Sequence, residues 1–329
     1  MPFTSHDVAK IAGVSQSTVS RALRGMPGIS PETVERVREA ARSLSYVPSE
    51  AGRSLSTRQA RSIGVFTEDL TNPFYPALVE PVRKRLEEHG FRTILLTEPD
   101  SVESADSLPH GVVDGAIIAT AHLGSPLPPG LRARNVPFVL VNRTVDGVDC
   151  DRVTVDNVAG AEFAAGFLAD LGHREIAAIF GPSDTSTGRD RELGFRRGLS
   201  RHAVSLPESR VRRGPFTYQT GYQAATTLLQ RRRRPTALFC GNDVIALGAL
   251  NAARALGLDV GADLTVVGFD DIPMASWELV DLTTVHYDLT TMARTAADMM
   301  VDRIGDPAAP FRHVTLDPGM VTRGSHHRP

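Results

Sequence analysis

Seven short apolar runs recur between residues 62 and 268, with a helical stretch between most of them. They are SIGVF (62–66), RTILLT (92–97), GAIIA (115–119), PFVLV (137–141), IAAIF (176–180), TALFC (236–240) and LTVVG (264–268). Runs this short and this continuously apolar read as strands covered on both faces. Helices are expected over 75–89, 158–171, 189–202, 220–231 and 243–256. Such alternation gives parallel sheets sandwiched by helices. Seven or more strands in a chain of 329 residues fit two linked αβα lobes.

Ligands in open parallel sheets bind beyond the carboxyl ends of the strands. Those ends are polar here: TEDLTNPFY, NRTVDG, GPSDTSTGRDR, GNDV and FDDIP each follow a run. Alone, each is a turn or a cap. Together they offer Asn72, Arg143, Arg191, Asn242 and Asp270 to one cleft. Asn and Asp exchange hydrogen bonds with hydroxyls, and Arg adds a fork of donors. Phe74, Tyr75 and Phe216 can stack on the apolar face of a ring. The chemistry suits a sugar or another small polyhydroxylated ligand.

The first sixty residues have a different character. Residues 1–61 hold nine Lys and Arg against five Asp and Glu, a local balance of +4 in a chain of net charge −2. A basic module beside a larger acidic one is the footprint of nucleic-acid binding. Thr4 and Asp7 form a capping pair, Gly13 suits a left-handed helix end, and Ser15 caps a second helix. Ser30 and Pro31 open a third. The expected inward residues are Val8, Ile11, Val19, Leu23, Val34, Val37 and Leu44. Helix, glycine turn and helix make a helix-turn-helix. The second helix carries Gln16, Ser17 and Arg21 off its apolar stripe. Arg can pair with guanine and Gln with adenine in the major groove.

The stretch DVAKIAGVSQSTVSRAL (7–23) resembles the N-terminal signature of the lac-repressor (LacI-type) family of bacterial transcription regulators. The resemblance continues through TNPFY, VDNVAGAEFAAGFLADLGHREI, GPSDTSTGRDRELGF, CGNDVIALGAL, VVGFDDI and LTTV. It implies that Gln16, Ser17 and Arg21 read bases, while Thr4, Ser15 and Thr18 touch phosphates. It also implies a bilobed, periplasmic-binding-protein-like sensor whose cleft is lined by Asn72, Phe74, Arg143, Arg191, Phe216, Asn242 and Asp270. The expected organisation is a reading head over 1–47, a hinge over 48–61 and a sensor over 62–329. The first lobe would take 62–156 and 288–323, the second 157–287. The helix after NPFY would form part of a dimer interface.

In the hinge, Leu55 holds the place of the leucine that wedges into the minor groove. Ser49 replaces a usual Asn and Gly52 a usual Ala; the glycine costs roughly 1 kcal/mol of helix propensity. A hinge less ordered off DNA is the expectation. After LTTV, His286, Tyr287 and Asp288 also depart from the usual pattern. Thr185 stands where purine-responsive relatives carry Arg, which disfavours a nucleobase co-repressor.

The implied activity is a homodimeric repressor of palindromic operator DNA, released by a sugar-like effector. It needs no cofactor, metal or catalytic residue, and works in the cytoplasm. The competing classes are an αβ enzyme and an exported solute-binding protein. No H-E-x-x-H, G-x-S-x-G or strand-borne G-x-G-x-x-G occurs, and the first residues lack an apolar signal core. Cys150 and Cys240 match no metal-ligand spacing. RRRR (231–234) reads as a complement to a helix C-terminus, and His173 as a turn support.

Overall fold

The computed structural model describes residues 3–23, 25–46, 60–97 and 111–329. Ser49, Gly52 and Leu55, and with them residues 48–59 of the expected hinge, lie outside the described residues. The chain packs as two units, one before Arg61 and one from it onward.

Among its described residues the first unit holds three helices: α1 (Ser5–Ala12), α2 (Gln16–Leu23) and α3 (Pro31–Ser43). The Asp7 carboxylate accepts from both the backbone N–H and the hydroxyl of Thr4, at 2.8 Å each. These bonds hold its pKa below the ordinary carboxylate range. Gly13 ends α1 at φ +64°, the left-handed conformation that a missing Cβ permits. The Ser15 hydroxyl then accepts from Thr18 N–H at 3.2 Å and starts α2. Val8, Ala9, Ala12, Val19, Ala22, Val37, Ala40 and Ala41 form the core. Leu23, Val34 and Leu44 are partly buried against it. Ile11, expected inside, is 57% exposed. At 100° per residue the buried arc of α1 centres between Val8 and Ala9, with Ala12 inside it, and Ile11 falls outside.

The second unit contains two six-stranded sheets. The strands are β1 (Ser62–Phe66), β2 (Arg92–Leu96), β3 (Gly115–Ile118), β4 (Phe138–Val141), β5 (Asp151–Val155), β6 (Ile176–Phe180), β7 (Val211–Arg213), β8 (Ala237–Cys240), β9 (Thr265–Phe269), β10 (Thr283–His286), β11 (His313–Leu316) and β12 (Gly319–Val321). The helices among the described residues are α4 (Phe74–Glu88), α5 (Leu127–Ala133), α6 (Asn157–Asp170), α7 (Ser186–Arg201), α8 (Tyr218–Leu229), α9 (Asp243–Ala255) and α10 (Leu289–Gly305). The first sheet runs β11-β5-β4-β3-β1-β2, all parallel. The second runs β12-β10-β9-β8-β6-β7, parallel except for β12 against β10. Strand β12 was expected in the first lobe. It sits in the second because Thr284, Val285 and His286 pair with Val321, Met320 and Gly319.

The chain therefore passes between sheets three times: after β5, after β10 and between β11 and β12. Helix α10 belongs to the first lobe, where Asp298 takes Arg85 of α4 at 2.6 Å. In the second lobe, the helices approach through glycine. A Cβ on Gly194 of α7 would overlap the Val158 carbonyl, and one on Gly248 of α9 the Tyr218 carbonyl.

Five strands were missing from the sequence reading, and each breaks the apolar run with partnered polar groups or lies at an edge. In β5, buried Asp151 takes Arg303 at 2.8 Å. In β10, the Thr284 hydroxyl donates to Asp243 at 2.5 Å.

Candidate functional sites

Both sheets point their carboxyl ends at one cleft. Asn72, Phe74 and Tyr75 reach it from the loop and helix after β1, and Asn142 and Arg143 from the end of β4. Opposite them stand Thr187 and Arg191 of α7, Phe216 after β7, Asn242 after β8 and Asp270 after β9. All eight cleft residues named from the sequence line this one cavity; Asn142 and Thr187 were not named.

Asn72 has two tasks. Its carbonyl oxygen accepts from Phe74 N–H at 3.0 Å and starts α4. Its amide donates across the cleft to the Phe216 carbonyl at 3.1 Å. Asn242 caps α9, accepting from Ile245 N–H at 2.9 Å. Tyr75 is buried beneath Arg143, which donates to its hydroxyl at 3.3 Å. Phe216 lies flat over Gly181, whose missing Cβ makes room for the ring. The guanidinium carbons of Arg143 and Arg191 stand 5.8 and 6.0 Å from its centroid.

Arg191 is fully engaged. It donates to Asn157 at 2.8 Å, to the Gly241 carbonyl at 2.7 Å and to Asp270 at 2.7 Å. Its other face lies 3.8 Å from the Phe269 centroid. The same Asp270 oxygen accepts from Tyr287 at 3.0 Å. Burial pushes the Asp270 carboxyl above its ordinary range, with Arg191 opposing. Asp270 sits at φ +112° and Asp271 at φ +51°. Behind them Asp243, wholly buried, accepts from Ile272 N–H at 2.9 Å and holds that turn.

Four further contacts span the cleft. Leu123 N–H donates to the Asp184 carbonyl at 2.8 Å, and Thr144 N–H to the Ser186 hydroxyl at 2.9 Å. Arg189 lies 3.3 Å from Asp146, and His122 lies 3.4 Å from Asp184. With these made, the cleft encloses about 20 Å³, room for about one water. Admitting a ring-sized molecule requires the lobes to part or Phe216 to swing.

On the other unit, Gln16, Ser17 and Arg21 are exposed on α2, together with Ser15 before it. Thr18 is half-buried and Thr4 exposed. Gln16 donates to the Ser5 hydroxyl at 2.7 Å, and Arg21 to the Pro27 carbonyl at 2.9 Å. A base edge must displace these neutral partners. Ser15 ties to Ser17 and Thr18 at 2.8 Å each.

The features set aside from the sequence fall elsewhere. His173 is buried just past the end of α6, where its backbone N–H donates to the Leu168 carbonyl at 3.1 Å. Its Nε2 faces the His327 carbonyl at 3.1 Å and its Nδ1 the Thr236 hydroxyl at 2.9 Å. Trp277 is 56% exposed and does not line the cleft. Arg231–Arg234 are exposed past α8, with Arg233 2.9 Å from Glu175. No helix among the described residues is long and apolar enough to cross a membrane.

Residues 4–49 match the model of bacterial regulatory proteins of the lacI family, and residues 165–326 that of a periplasmic binding protein-like domain. The ribose operon repressor of Escherichia coli is 33% identical over 327 residues, 98% of this chain and 99% of that one. Among solved structures, a lac repressor dimer bound to operator and an anti-inducer superposes with a TM-score of 0.87, at 28% identity over 99% of this chain and 100% of that chain. A complex of the transcriptional regulator CelR with cellobiose gives 0.75, at 32% identity over 98% of this chain and 99% of that one.

Proposed function

The chain belongs to the lacI family of bacterial regulatory proteins, a family of DNA-binding regulators and not of enzymes, and on that premise we propose a homodimeric repressor released from a palindromic operator by a sugar-like effector. The observation that carries the effector half is the convergence of ten polar and aromatic side chains from two sheets on one cleft. Its relatives support it: one represses a ribose operon, one is complexed with cellobiose, one is a dimer on its operator. The operator half rests on the exposed Gln16, Ser17 and Arg21 of α2 as base readers. Thr4, Ser15 and Thr18 serve as phosphate contacts and Leu55 as the minor-groove wedge. The same reading keeps residues 1–47 as the head, 48–61 as the hinge and 62–329 as the sensor.

Release requires that the effector bind the lobes better in one arrangement than in the other. The contacts that span the cleft are the ones whose making or breaking supplies that difference. Selection of full-length protein against random duplex DNA tests the operator half; a consensus with two inverted half-sites is expected, and enrichment of a single asymmetric site rejects the dimeric reading. A melting-temperature screen of small carbohydrates, followed by operator binding with each hit, tests the effector half. A hit that stabilises the protein and leaves DNA binding unchanged rejects effector control.

A further inference from the structure

Among the described residues, the buried arginines are Arg143, Arg191 and Arg303. Two of them have a buried carboxylate. Arg191 lies 2.7 Å from Asp270, and Arg303 lies 2.8 Å from Asp151. Arg143 has none. It is 5% exposed, donates to the Thr120 carbonyl at 3.0 Å and to the Tyr75 hydroxyl at 3.3 Å, and leaves its Nε–H without a partner. A guanidinium stays charged; the groups Arg143 bonds are neutral, and Asp270, which also feels its charge, already pairs with Arg191.

The carboxylate of the cleft and those of the loop after β1 already have partners. Asp270 serves Arg191 and Tyr287. Glu68 lies against His122 at 3.5 Å, and Asp69 accepts from Thr71 at 2.6 Å. The cleft lining therefore carries two arginines and one aspartate. The backbone also presents Arg143 at a cost: Asn142 is held at φ +69°, and Arg143 N–H closes back on the Val141 carbonyl at 2.8 Å. Asn142 Oδ1 is buried and equally without a donor. Consecutive residues of the wall thus offer an orphan cationic donor and an orphan neutral acceptor.

We infer that the effector is anionic: a polyhydroxylated small molecule whose carboxylate or phosphate takes the Arg143 Nε–H while a hydroxyl donates to Asn142. This rests on the cleft being the effector site and narrows its ligand class. A neutral sugar can fill the hydrogen bonds but leaves two arginines sharing the single aspartate of the lining. An anion fills both, through the planar fork that matches carboxylate and phosphate oxygens.

Matched sets test this with the full-length protein: glucose, gluconate, glucuronate and glucose 6-phosphate, and ribose with ribose 5-phosphate. Melting temperature and calorimetric binding are read for each. At least one anionic member is expected to bind roughly 10- to 100-fold more tightly than its neutral parent. The acid and phosphate arms separate the two sources of charge. In Arg143→Gln that preference is expected to vanish while the ligand-free melting temperature is held or raised; Arg143→Lys keeps part of it. A neutral parent that binds as tightly as its anion, or a preference unchanged in Arg143→Gln, overturns the inference and leaves the effector cleft standing. Binding by no member of either set counts against both.

Discussion

Tyr287 and Arg191 donate to one and the same oxygen of Asp270, at 3.0 and 2.7 Å. Arg191 comes from α7 of the second lobe, while Tyr287 lies where the chain leaves β10 to cross back to the first. The charged centre of the cleft is thereby fastened to a crossover. Tyr287→Phe removes one bond and leaves the ring. A loss of about 1 kcal/mol in urea denaturation is expected, together with a changed effector affinity. An unchanged affinity would separate the crossover from the cleft.

The ion pair itself is buried on both sides, at 2% and 4% exposure. Asp270→Asn leaves the Arg191 charge without its carboxylate and is expected to cost about 3–5 kcal/mol. Arg191→Met added to Asp270→Asn should recover much of that loss, because the uncompensated charge leaves while position 270 keeps a residue that tolerates φ +112°. Equal stability of the single and double variants would show that the pair is hydrated in solution.

His173 gives the second lobe an acid limit. Burial lowers its pKa from 6.5 to about 4, against the opposing hydrogen bond to the His327 carbonyl. Since Nε2 faces a carbonyl, that nitrogen carries the proton in the neutral ring, and Nδ1 accepts from Thr236. Between pH 6.5 and 4 the unfolded chain binds a proton that the folded chain refuses. Stability is therefore fully present above 6.5 and falls as pH drops through this window, by about 1.4 kcal/mol per unit at most. His173→Gln should flatten the slope of denaturation midpoint against pH there; an unaltered slope assigns it to other groups.

The glycine contacts between helices separate two kinds of glycine. Gly248→Ala drives a methyl into the Tyr218 carbonyl, so α8 and α9 must spread; a cost of about 1–3 kcal/mol is expected. Gly305→Ala, at the end of α10, meets nothing within 4 Å. It should be neutral or gain about 0.4–1 kcal/mol through the unfolded chain. Thermal melts of the two variants in parallel decide it: similar melting temperatures would mean that the helices have slack.

On the reading head, Arg21→Ala should relax preference at one base pair of each half-site, with about 1–3 kcal/mol of discrimination lost. Thr18→Val should weaken binding to all sequences alike. Competition with single-base operator variants tells the two apart. A uniform loss for Arg21→Ala would make it a phosphate contact.

What could be read from the chain alone follows burial chemistry. SIGVF and IAAIF declared themselves because β1 and β6 are wholly covered and, past Ser62, wholly without polar side chains. DRVTV and TTVH stayed silent because their partners, Arg303 and Asp243, stand 152 and 41 residues away. The cleft was legible through its loops, since strand ends collect polar residues wherever a parallel sheet binds something. Asn142 was not, because an Asn after a strand looks like a turn; only its orphaned oxygen gives it away. Ile11 misled because three-residue spacing from Val8 fits a wide helical stripe, while the small head buries mostly alanines.

The last strands have a consequence for how the sensor is born. Each sheet has an outer strand within residues 313–321, β11 on one and β12 on the other. Residues 325–327 then bind β9, β10 and His173. During vectorial synthesis, neither lobe has its full sheet until that stretch has cleared the ribosome. Both lobes are completed together and late, so a fragment stopped near residue 310 should expose two raw sheet edges at once.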